Sequence, residues 1–230
     1  MPGEQTQSEQ NERRVAEYLA ERYGLKVVRF SKAQLAEGKT PDFRVMKDKR
    51  LAFFCEVKTI ARDEWMKRKL REAPPLTQVE RIRTSDRSLG KDRAGPFAPG
   101  PFRLVTGSGY DRITSKILEA VEQFAAVNPE SLRPNALFLI NHDHTLPFQC
   151  LDHLLSGGIE CENAEWYPVA DLMNSPIKDK KWLIDLYVWW EPEHSDSPQH
   201  WAFSRCQRHF QYLCECFGKD PAGVRRRGRP

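Results

Sequence analysis

The run Leu51-Ala52-Phe53-Phe54-Cys55-Glu56-Val57-Lys58 constrains the fold more than any other stretch of the chain. Side chains alternate between the faces of a strand, so Leu51, Phe53, Cys55 and Val57 fall on one face and Ala52, Phe54, Glu56 and Lys58 on the other. Both faces are apolar until Glu56, and a strand apolar on both faces needs cover from both sides. It therefore reads as a central strand of a sheet flanked by helices. The run before it, Pro41-Asp42-Phe43-Arg44-Val45-Met46, reads as a second strand, joined to the first through the charged turn Lys47-Asp48-Lys49-Arg50 as an antiparallel hairpin.

The hairpin fixes where its charges meet. A loop of Asp48 to Arg50 pairs Lys47 with Leu51 and sets Asp42 directly across from Glu56. Cross-strand neighbours have Cβ atoms about 5 Å apart, so the two carboxylates share a face, with Lys58 two residues along on the same side. Side by side in an apolar sheet they repel, and either one takes up a proton or a cation sits between them. Hard oxygen ligands with open positions suit Mg2+ or Mn2+, which keep waters and also bind phosphate. A loop one residue different shifts the register and twists the pair apart.

Around the hairpin the chain alternates helix and strand signals. Thr6-Gln7-Ser8-Glu9 fits a capping box and Gly24 supplies a stop, which predicts a helix over about residues 8–23. Its apolar stripe is Val15, Ala16, Leu19 and Tyr23, and Glu12 stands three, four and seven residues before the first three of these. That spacing puts the carboxylate on the buried stripe, although a first-turn acid complementing the helix dipole explains it as simply. Leu25 to Phe30 predicts a short strand. Asp111 to Phe124 predicts a second helix, with Ile113, Ile117, Ala120, Val121 and Phe124 on one stripe, and Asn135 to Ile140 a strand reached by a parallel crossover. Further on, Trp182 to Trp190 reads as a strand and Phe203 to Phe217 as an amphipathic helix stopping at Gly218.

A length of 230 residues with 40% hydrophobic content favours one α/β domain spanning 1–230. Within it the expected core covers about 8–141, a Pro-, Gly- and charge-rich insertion about 61–110, a C-terminal elaboration 142–220 and a basic tail 221–230. The insertion is expected to be partly helical near Asp63 to Glu72. The net charge of +4 is modest, but the insertion holds eleven Lys/Arg against six Asp/Glu, and Arg225, Arg226, Arg227 and Arg229 crowd the tail. Basic surplus confined to a loop and a terminus suits phosphate contacts, and equally a solvated linker and tail. Met1 to Gln10 has no signal-peptide pattern and no apolar run is long enough to span a bilayer, so the expectation is a soluble, cytoplasmic protein with no membrane partner. Six cysteines are too sparse for a disulfide framework and read as thiols.

Asp42, then Glu56-Val57-Lys58, set behind a helix bearing Glu12 and ahead of the helix at Ile113 to Phe124, resembles the PD-(D/E)XK nuclease superfamily. The element order is similar to that family's αβββαβ restriction-endonuclease-like core, with a mixed central sheet flanked by helices. The resemblance implies that Asp42, Glu56 and the Val57 carbonyl bind Mg2+, with Mn2+ as an alternative. It implies that Lys58 positions or polarises the attacking water, and that Glu12 completes the site directly or through water. Lys116 matches loosely a helix lysine or glutamine that some members aim at the site. The expected activity is hydrolysis of DNA phosphodiesters by an endonuclease, with a homodimer left open. The alternatives are an inactive nucleic-acid-binding or assembly protein of the same fold, and a nuclease acting on RNA.

Other signals are weaker. Thr106-Gly107-Ser108-Gly109 could present backbone N–H groups to a phosphate but reads better as a turn, and without a P-loop Gly-Lys no nucleotide cofactor is expected. Cys206, His209, Cys214 and Cys216 have zinc-compatible types on a spacing that fits no familiar site. His142 and His144 are expected to be structural or solvated, and Trp182, Trp189, Trp190 and Trp201 to be packing residues rather than a base-stacking platform.

Overall fold

The computed structural model describes residues 6–31, 34, 39–61, 107–144, 146–160, 166–168, 170–204 and 207–219. The expected helical stretch near Asp63 to Glu72, Thr106, Cys206 and the arginine tail lie outside the described residues.

Helix α1 (Gln7–Tyr23) begins where the sequence places it. The Thr6 hydroxyl accepts from Glu9 N–H, Glu9 returns a bond to Thr6 N–H, and Gly24 closes the helix with φ of 63°. That left-handed conformation suits a residue without a Cβ. Strands β1 (Lys26–Arg29), β2 (Phe43–Lys47) and β3 (Arg50–Ile60) follow as an antiparallel set. Helix α2 (Gly107–Val127) then crosses to β4 (Asn135–Asn141), which runs parallel to β3. Beyond β4 come α3 (Phe148–Ser156), a two-stranded hairpin of β5 (Gly158–Glu160) and β6 (Trp166–Pro168), the short helix α4 (Ala170–Met173), β7 (Leu186–Trp190), β8 (His200–Phe203) and α5 (Gln207–Cys216). The result is a mixed six-stranded sheet in the order β1-β2-β3-β4-β7-β8, with β7 parallel to β4 and β8 antiparallel to β7.

Each face of the sheet has its own core. On one, the α2 stripe of Ile113, Ile117, Ala120 and Phe124 meets Phe54, Leu137, Leu139, Tyr187 and Trp189, with α3 contributing Leu151 and Leu154. On the other, Val15 and Leu19 of α1 and Phe210 and Leu213 of α5 meet Phe43, Phe53, Cys55, Phe138 and Val188. Burying each such side chain contributes about 1.5–3 kcal/mol, so β3 is held from both sides, as its composition requires. Arg112, in the second turn of α2, donates to the Ala61 carbonyl at 3.1 Å and to Asp143 at 2.7 Å, tying that helix to the C-terminal ends of β3 and β4.

The hairpin differs from expectation in its turn. Lys47 pairs with Arg50, leaving a two-residue loop in which Asp48 and Lys49 both have positive φ, 49° and 65°. This matches the right-handed strand twist better than a three-residue loop. The ladder then shifts between Val45 and Met46: Met46 pairs with Leu51 but Val45 with Phe53, so Ala52 is the extra residue of a β-bulge. The bulge restores the register, and Phe43 pairs with Cys55. It also corrects the face assignment, because Leu51 packs with the α2-side core and Ala52 joins Phe53 on the α1 side.

Three further boundaries move. Helix α2 starts at Gly107 rather than Asp111, so Gly107 to Gly109 belong to its first turn and are no loop. The strand expected from Trp182 begins at Leu186, after a 3-10 turn over Lys181–Leu183. Phe203 ends β8, paired with Leu186, and the C-terminal helix starts only at Gln207. Among the described residues no helix is long and apolar enough to cross a membrane, and Cys55, Cys150, Cys214 and Cys216 are buried and outside any disulfide.

Candidate active site

Strand β2 begins at Phe43, so Asp42 lies just outside the ladder, and continuing the Phe43–Cys55 pairing by one step sets it opposite Glu56. Each carboxylate accepts a backbone N–H from the opposite segment. Asp42 N–H donates to Glu56 Oε2 at 2.9 Å, and Val57 N–H donates to Asp42 Oδ2 at 2.8 Å. Because N–H and C=O of one extended residue project to the same edge, the Val57 carbonyl also points to the edge of β3 that β2 has not yet reached. Lys58, next but one along β3, donates to Glu56 Oε1 at 2.8 Å. Asp42, Glu56, Val57 and Lys58 are thereby brought together.

Burial makes this cluster electrically strained. The Glu56 side chain is 2% exposed, and burial, then the negative charge of Asp42, pushes its carboxyl up to about 8, with Lys58 offsetting only part. Asp42 is also raised, by burial above all, despite the Val57 N–H and Lys58 that favour its charged form. Two carboxylates this close share a proton near neutrality, and that proton belongs to the pair. Lys58 moves the other way: burial alone would lower it, but Glu56, with Glu119 and Asp42, holds the ammonium above its ordinary value.

Glu12 lies within electrostatic range of Asp42, its carboxyl raised first by burial and then by that charge. Its bonds go elsewhere, to Arg29 at 2.8 Å and Ser8 at 3.5 Å. Among the described residues no group of three or more His, Cys, Asp or Glu gathers around one ion position. Lys116 does not reach the carboxylate pair either. It binds both oxygens of Glu119 at 3.2 Å, and Glu119 lies 3.4 Å from Lys58.

Sequence reasoning missed Glu119, which with Glu56 brackets the Lys58 ammonium. Its signal was its place three residues after Lys116 on the same helix face. It also missed Asn11, which is 1% exposed. Asn11 donates to Thr59 Oγ1 at 2.9 Å and lies 3.1 Å from His142 Nε2, while His142 Nδ1 lies 2.5 Å from Glu193. His142 thus has the structural role expected of it, joining α1 to the ends of β3 and β4. Trp189 and Trp190 are fully buried, as expected, whereas Trp182, for which packing was also expected, is 39% exposed. His209 bonds the Ser131 carbonyl at 3.0 Å.

The donor set can be tested against a cation. A buried carboxylate, a half-buried one and a carbonyl on the open edge, with a shared proton that a cation can displace, suit a hard divalent ion. Mg2+ in particular is often held by one or two carboxylates and keeps several waters. The chain matches no protein-family model, no curated protein and no solved structure.

Proposed function

We propose that this protein is a metal-dependent nuclease that hydrolyses DNA phosphodiester bonds, with a restriction-endonuclease-like core of the PD-(D/E)XK kind. The observation that carries the reading is the pair of backbone clasps at the start of β2, Glu56 accepting from Asp42 N–H and Asp42 from Val57 N–H, with Lys58 beside Glu56 on β3. The order helix, three antiparallel strands, helix, parallel strand supports it as well.

Asp42, Glu56 and the Val57 carbonyl would hold Mg2+ or Mn2+. Bound there, the ion supplies a water of lowered pKa and stabilises charge gathering on the phosphate. The chain's own residues do the rest. Asp42 and Glu56 would give up their shared proton to a cation taking its place. Lys58, whose ammonium Glu56 and Glu119 hold above its ordinary value, would donate to a water or a phosphate oxygen. Glu12, beside Asp42 but bonded to Arg29, would act through water.

A second reading, an inactive nucleic-acid-binding or assembly protein of the same fold, draws on that same Arg29–Glu12 pair, which occupies the third acid. The two separate on one experiment. Plasmid and single-stranded DNA are incubated with Mg2+ or Mn2+ and with wild type, Asp42→Asn or Lys58→Ala. Cutting by wild type alone supports the nuclease, whereas equal traces in all three sink it. An RNA substrate in the same assay decides between the nucleic acids.

A further inference from the structure

Two residues beyond Asp42 on β2, the hairpin opens into a concavity of about 620 Å3. Val28, Met46 and Leu51 form its floor, and Lys26, Arg44 and Lys49 stand around it against one acid, Asp48. It lies on the face that carries Glu56. Arg44 pairs with Phe54, two residues before Glu56, and its guanidinium sits 4.9 Å over the ring of Phe30 in the α2-side core. The strands themselves assemble it, since Arg44 is opposite Val28 and Met46 opposite both Lys26 and Leu51. The bulge is part of the construction, because it is what turns Leu51 rather than Ala52 toward this face.

The three cations have no acid of their own among the described residues. Other surface cations, such as Arg22 and Arg50, lack one too; what sets these three apart is that they line one concavity together with a single acid. The Nε of Arg44 is buried and has no hydrogen-bond partner. Such a surplus, three cations to one acid over an apolar floor, fits an anion with a flat apolar body. The volume lies within the range of about 300–1,000 Å3 typical of small-ligand pockets, enough for one nucleotide. A duplex hides its base faces, whereas an opened strand offers them.

We infer that this concavity is a subsite for one nucleotide of a single strand. Its base lies on Val28, Met46 and Leu51, and its flanking phosphates are held by Arg44, Lys26 and Lys49. Arg44 stands two strand residues, about 7 Å, from Asp42 and Met46 four, about 13 Å, so a strand seated here reaches the Asp42–Glu56 pair about two nucleotides further on. The proposal rests on the nuclease reading only for the claim that this strand is the substrate.

The test is made in EDTA, where no cutting intrudes. Fluorescence anisotropy measures binding of a short labelled single strand, and of the same sequence as a blunt duplex, to the whole chain. Wild type should bind the single strand more tightly. The triple variant Lys26→Ala, Arg44→Ala, Lys49→Ala should lose at least about tenfold. Its log–log salt slope should flatten by about 2, the counterion release of three single-strand contacts. Lys178→Ala with Lys180→Ala, exposed lysines in another segment, should change neither quantity, and unchanged melting temperatures exclude misfolding. An unchanged triple variant overturns the subsite, equal affinity for duplex overturns its single-strand character, and poly-L-glutamate competing equally per charge overturns its nucleic-acid assignment. Patch-dependent binding by a wild type that never cuts in Mg2+ sinks the nuclease reading alone. Cutting and binding that ignore the triple variant sink the subsite alone.

Discussion

The two ends of the β2–β3 hairpin handle charge in opposite ways. At the Asp42–Glu56 end every group is held: each carboxylate accepts a backbone N–H from the other strand, and Lys58 is gripped by Glu56 and Glu119. At the turn end Lys26, Arg44 and Lys49 face a concavity with a single acid among them. The first end carries more negative charge than its surroundings tolerate, and the second more positive charge than its neighbours neutralise. A buried, rigid, over-acidic end suits chemistry on a bound cation. An open, over-basic end suits holding a polyanion.

The largest effect should come from breaking the acidic end. Asp42→Asn or Glu56→Gln should lower the Mg2+-dependent cleavage rate by at least about a hundredfold, and Lys58→Ala by about 100- to 1,000-fold. Stopped-time plasmid assays at saturating metal would measure this. Binding of a single strand in EDTA should survive the same substitutions, because the turn end is intact. Loss of binding in step with cleavage would abolish the distinction between the two ends.

Packing comes next. Leu19→Ala, at a fully buried position of α1, should cost about 2–5 kcal/mol in urea unfolding. Arg44→Ala, at the open end, should stay within about 1 kcal/mol, since it removes no ion pair. A larger loss at Arg44 would mean that the turn end is structural.

The shared proton gives a pH signature. A carboxyl raised on folding binds its proton more tightly in the folded chain than in the unfolded one. The stability it contributes is therefore complete below the ordinary value of 4.5 and is lost as pH rises through about 8. Without metal, stability should fall between those limits by up to about 1.4 kcal/mol per pH unit, and Glu56→Gln should flatten that fall. Metal should reverse it. Mg2+ affinity should strengthen by up to about tenfold per pH unit over the same window, with proton release visible by calorimetry in two buffers of different ionisation enthalpy. A pH-independent affinity would show that the pair carries no proton to displace.

The smallest effect is expected at Glu119→Gln. It loosens Lys58 without touching either carboxylate, and should slow cleavage by less than about tenfold while leaving metal affinity unchanged. A loss as large as that of Lys58→Ala would move Glu119 from holding the lysine to meeting the substrate.

Much of this was legible in the sequence because period and capping carry long elements. Helix α1 announces itself in Thr6, Glu9 and Gly24, and β3 in its two-sided apolar run. The Asp42–Glu56 pairing was also reached, through a loop one residue too long, because the true turn is one residue shorter and the bulge adds that residue back. Nothing in Ala52 as a letter marks it as the extra residue; the choice depends on which side chains the two cores accept. The stretch from Leu146 to Lys181 was silent for a different reason. Its strands β5 and β6 and helix α4 are three or four residues long and show no period, whereas the nine-residue α3 did carry an apolar stripe, Phe148, Leu151, Leu154 and Leu155, that was passed over. Phe203 misled because Trp201 and Phe203 continue an apolar pattern into Phe210 and Leu213, and only cross-strand pairing with Leu186 separates strand from helix. Glu119 was hidden because a lone acid on a helix flank looks the same whether it faces water or a lysine from a neighbouring strand.

The bulge at Ala52 also predicts how this hairpin tolerates insertion and deletion. From the turn, Asp42 is the sixth residue back along β2 and Glu56 the seventh forward along β3, and the bulge absorbs the difference. Deleting Ala52 would leave a regular ladder with the same two acids opposed. Deleting Phe53 or Cys55 instead would have to abolish the bulge at the expense of a core side chain, and adding a residue to β2 would make the bulge superfluous. Length changes near the tip can thus be silent at the carboxylates when they come with gain or loss of one unpaired residue. Chains related to this one could then differ in hairpin length and still present the same pair of acids.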